Sequence, residues 1–152
     1  MLYPSTSNNI LYRDRLDKAA AGNQRVREKS LPVWAAEMME ASYLPPYVKK
    51  DQIFVAPVSA DVELLQSLQP NLAPAIIIVA GLDCLALEAM EYAGNLKKAG
   101  VKVMVKEYPE AIHGFSHYKE GSKDYRKDDV DDCWEEVVKF LAVRFESPAS
   151  NI

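Results

Sequence analysis

The chain has 152 residues, 49% of them hydrophobic, with a formal net charge of -4. That is enough apolar material for one packed domain or part of one, and it excludes a disordered tail. The acidic balance argues against nucleic acid as a partner, because phosphates select basic faces. No apolar run approaches the ~20 residues that a membrane-spanning helix needs.

Met1-Leu2-Tyr3-Pro4-Ser5 lacks a charged lead followed by an apolar core, so no secretory signal is read there. Cys84 and Cys133 form neither a metal motif nor a disulfide framework. The expectation is a cytoplasmic protein with no metal and no other cofactor.

Residues 1–10 read as a short strand end and a polar loop. Leu11–Arg27 is charged with sparse apolar positions, and Ala19-Ala20-Ala21-Gly22 predicts a helix ending near Gly22. An exposed helix and a mobile excursion both fit that stretch. Leu31–Tyr43 predicts a better helix, with Ser30 as N-cap and Pro32 at an early position. Trp34, Met38 and Met39 share one side of it. The ordinary meaning of such a stripe is core, and the functional alternative is the wall of an acyl pocket.

Pro45-Pro46 ends that helix. Ile53-Phe54-Val55-Ala56, closed by Pro57, reads as a buried connection. Asp61–Leu68 predicts one or two helical turns, and Pro70 and Pro74 bracket the approach to the next element.

The most informative stretch is Pro74–His117. Ala75–Ala80 (Ala-Ile-Ile-Ile-Val-Ala) is apolar at every position, the mark of a parallel strand covered on both faces. Gly81 breaks it, and Asp83 follows. Leu85–Ala99 spaces Leu85, Leu87, Ala89, Met90, Ala93 and Leu96 helically, and Gly100 supplies the stop. Val101–Tyr108 predicts a second strand, followed by the loop Ala111-Ile112-His113-Gly114-Phe115. His117–Asp129 reads as a charged loop. Val130–Phe145 predicts an amphipathic helix with Val130, Trp134, Val137, Val138 and Leu141 facing the sheet. Asp128, Asp129, Asp131 and Asp132 crowd its start, where the macrodipole favours negative charge. Ser147–Ile152 is a frayed tail.

Strand, Asp, helix, strand, His is an order that brings Asp83 and His113 to the carboxyl ends of adjacent parallel strands. Ligands and catalytic groups gather at that edge of an open α/β sheet. An Asp after a strand is often a helix cap, and a loop histidine is often merely exposed. Together, in this order, they point to an acid–base dyad in which a carboxylate fixes the imidazole tautomer. Cys84 reads as a small buried hydrophobe, Ser116 lacks the strained turn that exposes a nucleophile, and His117 reads as an exposed loop residue.

Pro74-Ala-Ile-Ile-Ile-Val-Ala-Gly-Leu-Asp83, Tyr92-Ala93…Leu96…Ala99-Gly100-Val101 and Tyr108-Pro109…Ile112-His113-Gly114-Phe115 resemble the C-terminal part of the α/β-hydrolases. The branch they resemble is that of the hormone-sensitive-lipase-like carboxylesterases. Asp51…Ala56-Pro57-Val58 and Tyr3-Pro4 look similar to upstream segments of the same half. The resemblance implies an α/β fold: a mostly parallel sheet remnant flanked by helices, with residues 1–152 as the C-terminal portion of a hydrolase domain. It also implies the chain order Ser…Asp…His, with Asp83 as the triad acid, His113 as the base and Phe115 beside the substrate, a small-molecule ester.

The family's Gly-x-Ser-x-Gly and His-Gly-Gly-Gly-like segments are not in this sequence. The implied activity is carboxylic ester hydrolysis, absent from this chain taken alone. The alternative is a non-catalytic module that binds a partner, or itself, through an exposed sheet edge.

Overall fold

The computed structural model describes residues 1–145, so the tail at Ser147–Ile152 lies outside the described residues. The chain divides into two compact units, Met1–His113 and the segment from Gly114 onward.

The first unit is built on a parallel pair, β1 (Ala75–Ala80) and β2 (Val103–Tyr108), in register from Ala75 opposite Val103 to Ala80 opposite Tyr108. On the other side of β1 lies the amino-terminal segment, where Leu2 forms a parallel bridge to Ile78. The Met1 and Tyr3 nitrogens donate to the Ile76 and Ile78 carbonyls at 2.6 and 2.7 Å, and the Ile78 amide donates to Met1 O at 2.9 Å. The order across the sheet edge is thus Leu2, β1, β2. β2 begins two residues later than the sequence pattern suggests.

Five helices belong to this unit: α1 (Tyr12–Gly22), α2 (Arg25–Lys29), α3 (Val33–Tyr43), α4 (Val62–Leu68) and α5 (Ala86–Lys98). Ile77 and Val79 pack with Leu65 of α4 and with Ala89, Ala93 and Leu96 of α5. Ile76, Ile78 and Ala80 are also buried, so β1 is covered on both faces. Each such Ile or Val contributes about 1.5–3 kcal/mol by leaving water. Leu87 and Met90, which belong to the helically spaced apolar set of α5, are exposed. The buried stripe at 89, 93 and 96 takes small residues where helix and strand approach closely. Gly100 ends α5 with φ +87°. Asp61 caps α4 by accepting from the Leu64 amide at 2.7 Å.

The helical excursion between Ser7 and Pro45 has its own small core of Tyr12, Leu16, Val26, Ala36 and Cys84. α1 ends at Gly22, as the alanine run predicts. Ser30 does not cap α3; its hydroxyl donates to the Val26 carbonyl at 2.7 Å and closes α2 instead. Trp34, Met38 and Met39 are not core: all three are exposed, Trp34 at 69%. The buried face of α3 is narrow and centres on Ala36. Ile53–Ala56 is buried only in part, with Ala56 enclosed and Phe54 90% exposed.

The second unit holds a short 3-10 turn at Phe115–His117 and the helix α6 (Lys127–Phe145). Trp134 Nε1 donates to the Ser116 carbonyl at 3.0 Å. α6 starts three residues before Val130, which brings Asp128 and Asp129 into its first turn. The expected inner face is rotated: Trp134, Val138 and Leu141 are exposed and Cys133 is buried. Val130, Val137 and Phe140 are half-buried, and with Cys133 they follow a three-and-four spacing. Among the described residues no helix is long and apolar enough to cross a membrane.

Gly81 sits where the loops leaving β1 and β2 cross. A Cβ there would meet the backbone of Pro109, 2.6 Å from its carbonyl oxygen and 2.7 Å from its Cα. Neither atom belongs to a flexible side chain, so the loop itself must shift. Gly81→Ala is expected to cost about 1–3 kcal/mol, in the range of overpacking. Urea denaturation of the variant should show a lower midpoint; an unchanged midpoint would mean that the loop yields freely.

Candidate active site

The loop after β1 is fixed from both ends. Gly81 N donates to Tyr108 O and Leu82 N to Ala111 O, each at 2.9 Å, which ties it to the loop after β2. The Asp83 amide donates back to Ala80 O, turning the chain toward α5. Ala111 and Ile112 are buried and anchor the second loop, which delivers His113 to the same strand edge.

His113 Nδ1 lies 2.7 Å from Asp83 Oδ2. The expected hydrogen bond is therefore present, over a sequence separation of thirty residues. An ionised carboxylate only accepts, so Nδ1 carries the proton and Nε2 keeps its lone pair. Asp83 does not cap α5, whose N-cap is Leu85; its other oxygen accepts from the Leu85 amide at 2.9 Å, in the turn before the helix. One carboxylate thus closes the turn into α5 and orients the imidazole.

The pair is asymmetric in exposure. The Asp83 side chain is 5% exposed and that of His113 59%. The hydrogen bond to Asp83 raises the His113 pKa, against a smaller lowering by burial and with a further electrostatic contribution from the same carboxylate. The Tyr3 ring meets the imidazole edge-on, with centroids 4.9 Å apart and planes at 64°. Tyr3 holds φ +34°, in the left-handed region that non-glycine residues seldom occupy.

Cys84, next to the dyad, is buried, and its thiol is pushed up to about 11, first by burial and then by the Asp83 charge. A thiol so disposed is a poor nucleophile at neutral pH. Phe115 and Ser116 are buried, while His117 is exposed and edge-on to Trp134 at 6.0 Å between centroids. Among the described residues no group of three or more His, Cys, Asp or Glu side chains is placed to hold a metal ion.

The sequence reading missed a second buried carboxylate. Glu88 lies in the first turn of α5, and its Oε1 accepts from the backbone amides of Thr6 at 2.7 Å and Ser7 at 3.1 Å. Its Oε2 pairs with the buried Arg15 at 3.5 Å. Arg15 also donates to Ser7 O at 3.1 Å and pairs with Glu40 of α3. Burial pushes the Glu88 pKa up; the Thr6 and Ser7 amides and Arg15 oppose it. The only signal in the sequence was a glutamate on the inner side of a helix, which charge patterning alone assigns to solvent.

A parallel strand pair, its inner strand buried, with an Asp and a His hydrogen-bonded at its carboxyl edge fits the α/β-hydrolase architecture. The model of the hormone-sensitive-lipase-like branch of the α/β-hydrolase fold matches residues 1–117, and the chain belongs to that family. Among solved structures it is similar to an esterase from Pseudomonas putida, 24% identical with a TM-score of 0.71 over 93% of this chain and 40% of that one. A variant of the esterase rPPE complexed with (S)-Ac-CPA aligns with a TM-score of 0.72, 24% identity, and the same 93% and 40% coverage. An esterase from the fungus Rhizomucor miehei aligns with a TM-score of 0.70 at 22% identity, over 95% of this chain and 40% of that one. This chain therefore spans about two fifths of these proteins. No match is found among curated proteins.

Because its folded-state pKa is raised above the ordinary value of 6.5, His113 favours the fold most when charged. Its contribution is fully present below about pH 6.5 and is lost as pH rises through the higher folded-state pKa. In an NMR titration the His113 midpoint should lie above 6.5, and Asp83→Asn should bring it down. Identical midpoints in the two proteins would contradict the pairing.

Proposed function

We propose that this chain carries the acid and base of a carboxylic ester hydrolase. The observation behind the reading is the Asp83–His113 hydrogen bond, 2.7 Å long, at the carboxyl edge of the family's sheet. In this reading His113 Nε2 takes the proton of a serine hydroxyl as its oxygen attacks the ester carbonyl. The imidazolium then protonates the leaving alcohol. Asp83 stays ionised throughout, holds the tautomer and stabilises the charged ring. Phe115 is proposed as an apolar wall for the acyl group, and the substrate as a short acyl ester.

The serine is outside these residues. The six glycines are Gly22, Gly81, Gly94, Gly100, Gly114 and Gly121, and no two of them bracket a serine in Gly-x-Ser-x-Gly. Among the described residues the buried serines are Ser7 and Ser116. Ser7 donates its hydroxyl to Asn9. Residues 1–152 alone are thus proposed to be inactive, since a dyad without nucleophile or oxyanion donors has nothing to acylate.

Three measurements test this. The 152-residue chain, given a chromogenic short-chain ester, should turn it over no faster than its His113→Ala variant. Burst kinetics abolished by that substitution would reveal a nucleophile in this chain. Sequencing the transcript should show the frame continuing upstream through a Gly-x-Ser-x-Gly segment. In that longer protein Asp83→Asn should lower kcat by about 10⁴-fold, as wrong-tautomer variants of serine triads do. A longer protein whose ester hydrolysis is indifferent to His113 would overturn the reading.

A partner-binding module is the second reading, and the apolar exposure favours it. Trp34, Tyr43, Tyr47 and Phe54 are 69%, 75%, 86% and 90% exposed, and aromatic side chains of this kind are enriched in interfaces. No described strand pairs with the outer edge of Leu2, and open edges recruit further strands. Light scattering on a size-exclusion column should then find dimers or larger species; a sharp monomer with a cooperative melt would count against it.

A further inference from the structure

Asp83 fixes one atom of His113, and one hydrogen bond does not fix a ring. The imidazole can still swing about that bond, and more than half of its side chain is open to solvent. The other contact on the ring comes from Tyr3, edge-on at 4.9 Å.

Tyr3 adopts a backbone conformation that its sequence disfavours. A residue before proline is driven toward extended angles, yet Tyr3, followed by Pro4, holds φ +34°. Such conformations persist only where the surroundings over-determine them, and they cluster at functional sites. The surroundings here are explicit. On one side, Tyr3 N donates to Ile78 O at 2.7 Å, locking the residue to the ladder of β1. On the other, the Thr6 and Ser7 amides are held by Glu88 at 2.7 and 3.1 Å. Between these two clamps the chain must turn sharply, and the turn throws the tyrosine ring against His113.

We propose that Tyr3 is a positioning residue for His113: its ring, held by the Ile78 and Glu88 clamps, restricts the imidazole to the orientation in which Nδ1 meets Asp83. The catalytic meaning of this restriction rests on the ester-hydrolase reading; the restriction itself does not. α5 then controls the imidazole twice, directly through Asp83 at its start and indirectly through Glu88 one turn further on.

The test is NMR of the 152-residue chain, with His113→Ala assigning the ring signals. In the wild type, cross-relaxation should connect the Tyr3 ring protons to the His113 ring. The Nδ1–H proton bound to Asp83 should give a slowly exchanging low-field signal. Tyr3→Phe should keep that signal. Tyr3→Leu, which keeps apolar bulk without the aromatic edge, should lose it or broaden it and should lower the His113 titration midpoint. Glu88→Gln, with a weaker acceptor for the two amides, should shift the same signals in the same direction by less.

Three results would overturn the proposal: no Tyr3–His113 cross-relaxation in the wild type, a folded Tyr3→Leu variant with unchanged His113 signals, or a Tyr3→Phe variant that loses them. The first needs no variant, so a misfolded substitution cannot leave the question open. None of these readouts involves ester turnover. A failure here is therefore distinct from a failure of the hydrolase reading, which would appear as ester hydrolysis indifferent to His113.

Discussion

A buried parallel strand must satisfy its amides and carbonyls on both edges, and everything at the candidate site follows from how β1 does so. Its outer edge is taken by Met1–Tyr3 and its inner edge by β2. An unmade backbone hydrogen bond in such a place costs far more than a made one gains, so both neighbours are held in fixed register. That register fixes where each strand ends. Asp83, His113 and Tyr3 come from three separate segments, and all three segments stop at the same edge of one strand.

The site's electrostatics are equally dependent on α5. Its first turns carry two buried carboxylates, Asp83 just before the helix and Glu88 within it. Neither is solvated, and each is compensated differently. Asp83 accepts from one backbone amide and from the imidazole. Glu88 accepts from two amides and from Arg15, whose other partners reach Glu40 and Ser7 O. Removing one member of such a buried set leaves the others uncompensated, which costs more than the set gains as a whole. The arrangement therefore fixes geometry more than it adds stability, and the loop of residues 3–7 has its place because of it.

What was legible in the sequence is what local pattern controls. Ala75–Ala80 reads as a covered parallel strand because no position tolerates water, and its bounds match. Gly22, Gly81 and Gly100 each mark a true break. The Asp83–His113 contact was readable because topology alone brings adjacent parallel strands to one edge. What failed was the assignment of helix faces. Trp34, Met38 and Met39 follow a core-like stripe but are exposed, and Cys133 replaces Trp134 and Val138 as the buried centre of α6. A helix with apolar residues on several sides does not say which side is covered; that depends on what lies against it. Glu88 and Arg15 were missed for the converse reason: charged residues read as solvated unless their partners are known, and Glu88 finds Thr6, Ser7 and Arg15 at separations of 82, 81 and 73 residues.

The exposure difference within the dyad bears on how such a site can be assembled in parts. A carboxylate taken out of bulk water loses its hydration, so fixed hydrogen-bond donors must replace the solvent that would otherwise hold it. Asp83 meets that condition within residues 1–113 alone. An imidazole that must exchange protons with groups from elsewhere needs the opposite, and more than half of the His113 side chain is exposed. The orientation of the proposed base is therefore set by segments close to one strand, before any nucleophile is considered. The hydrogen bond to Asp83 already selects which nitrogen of His113 bears the proton and which is left to accept one.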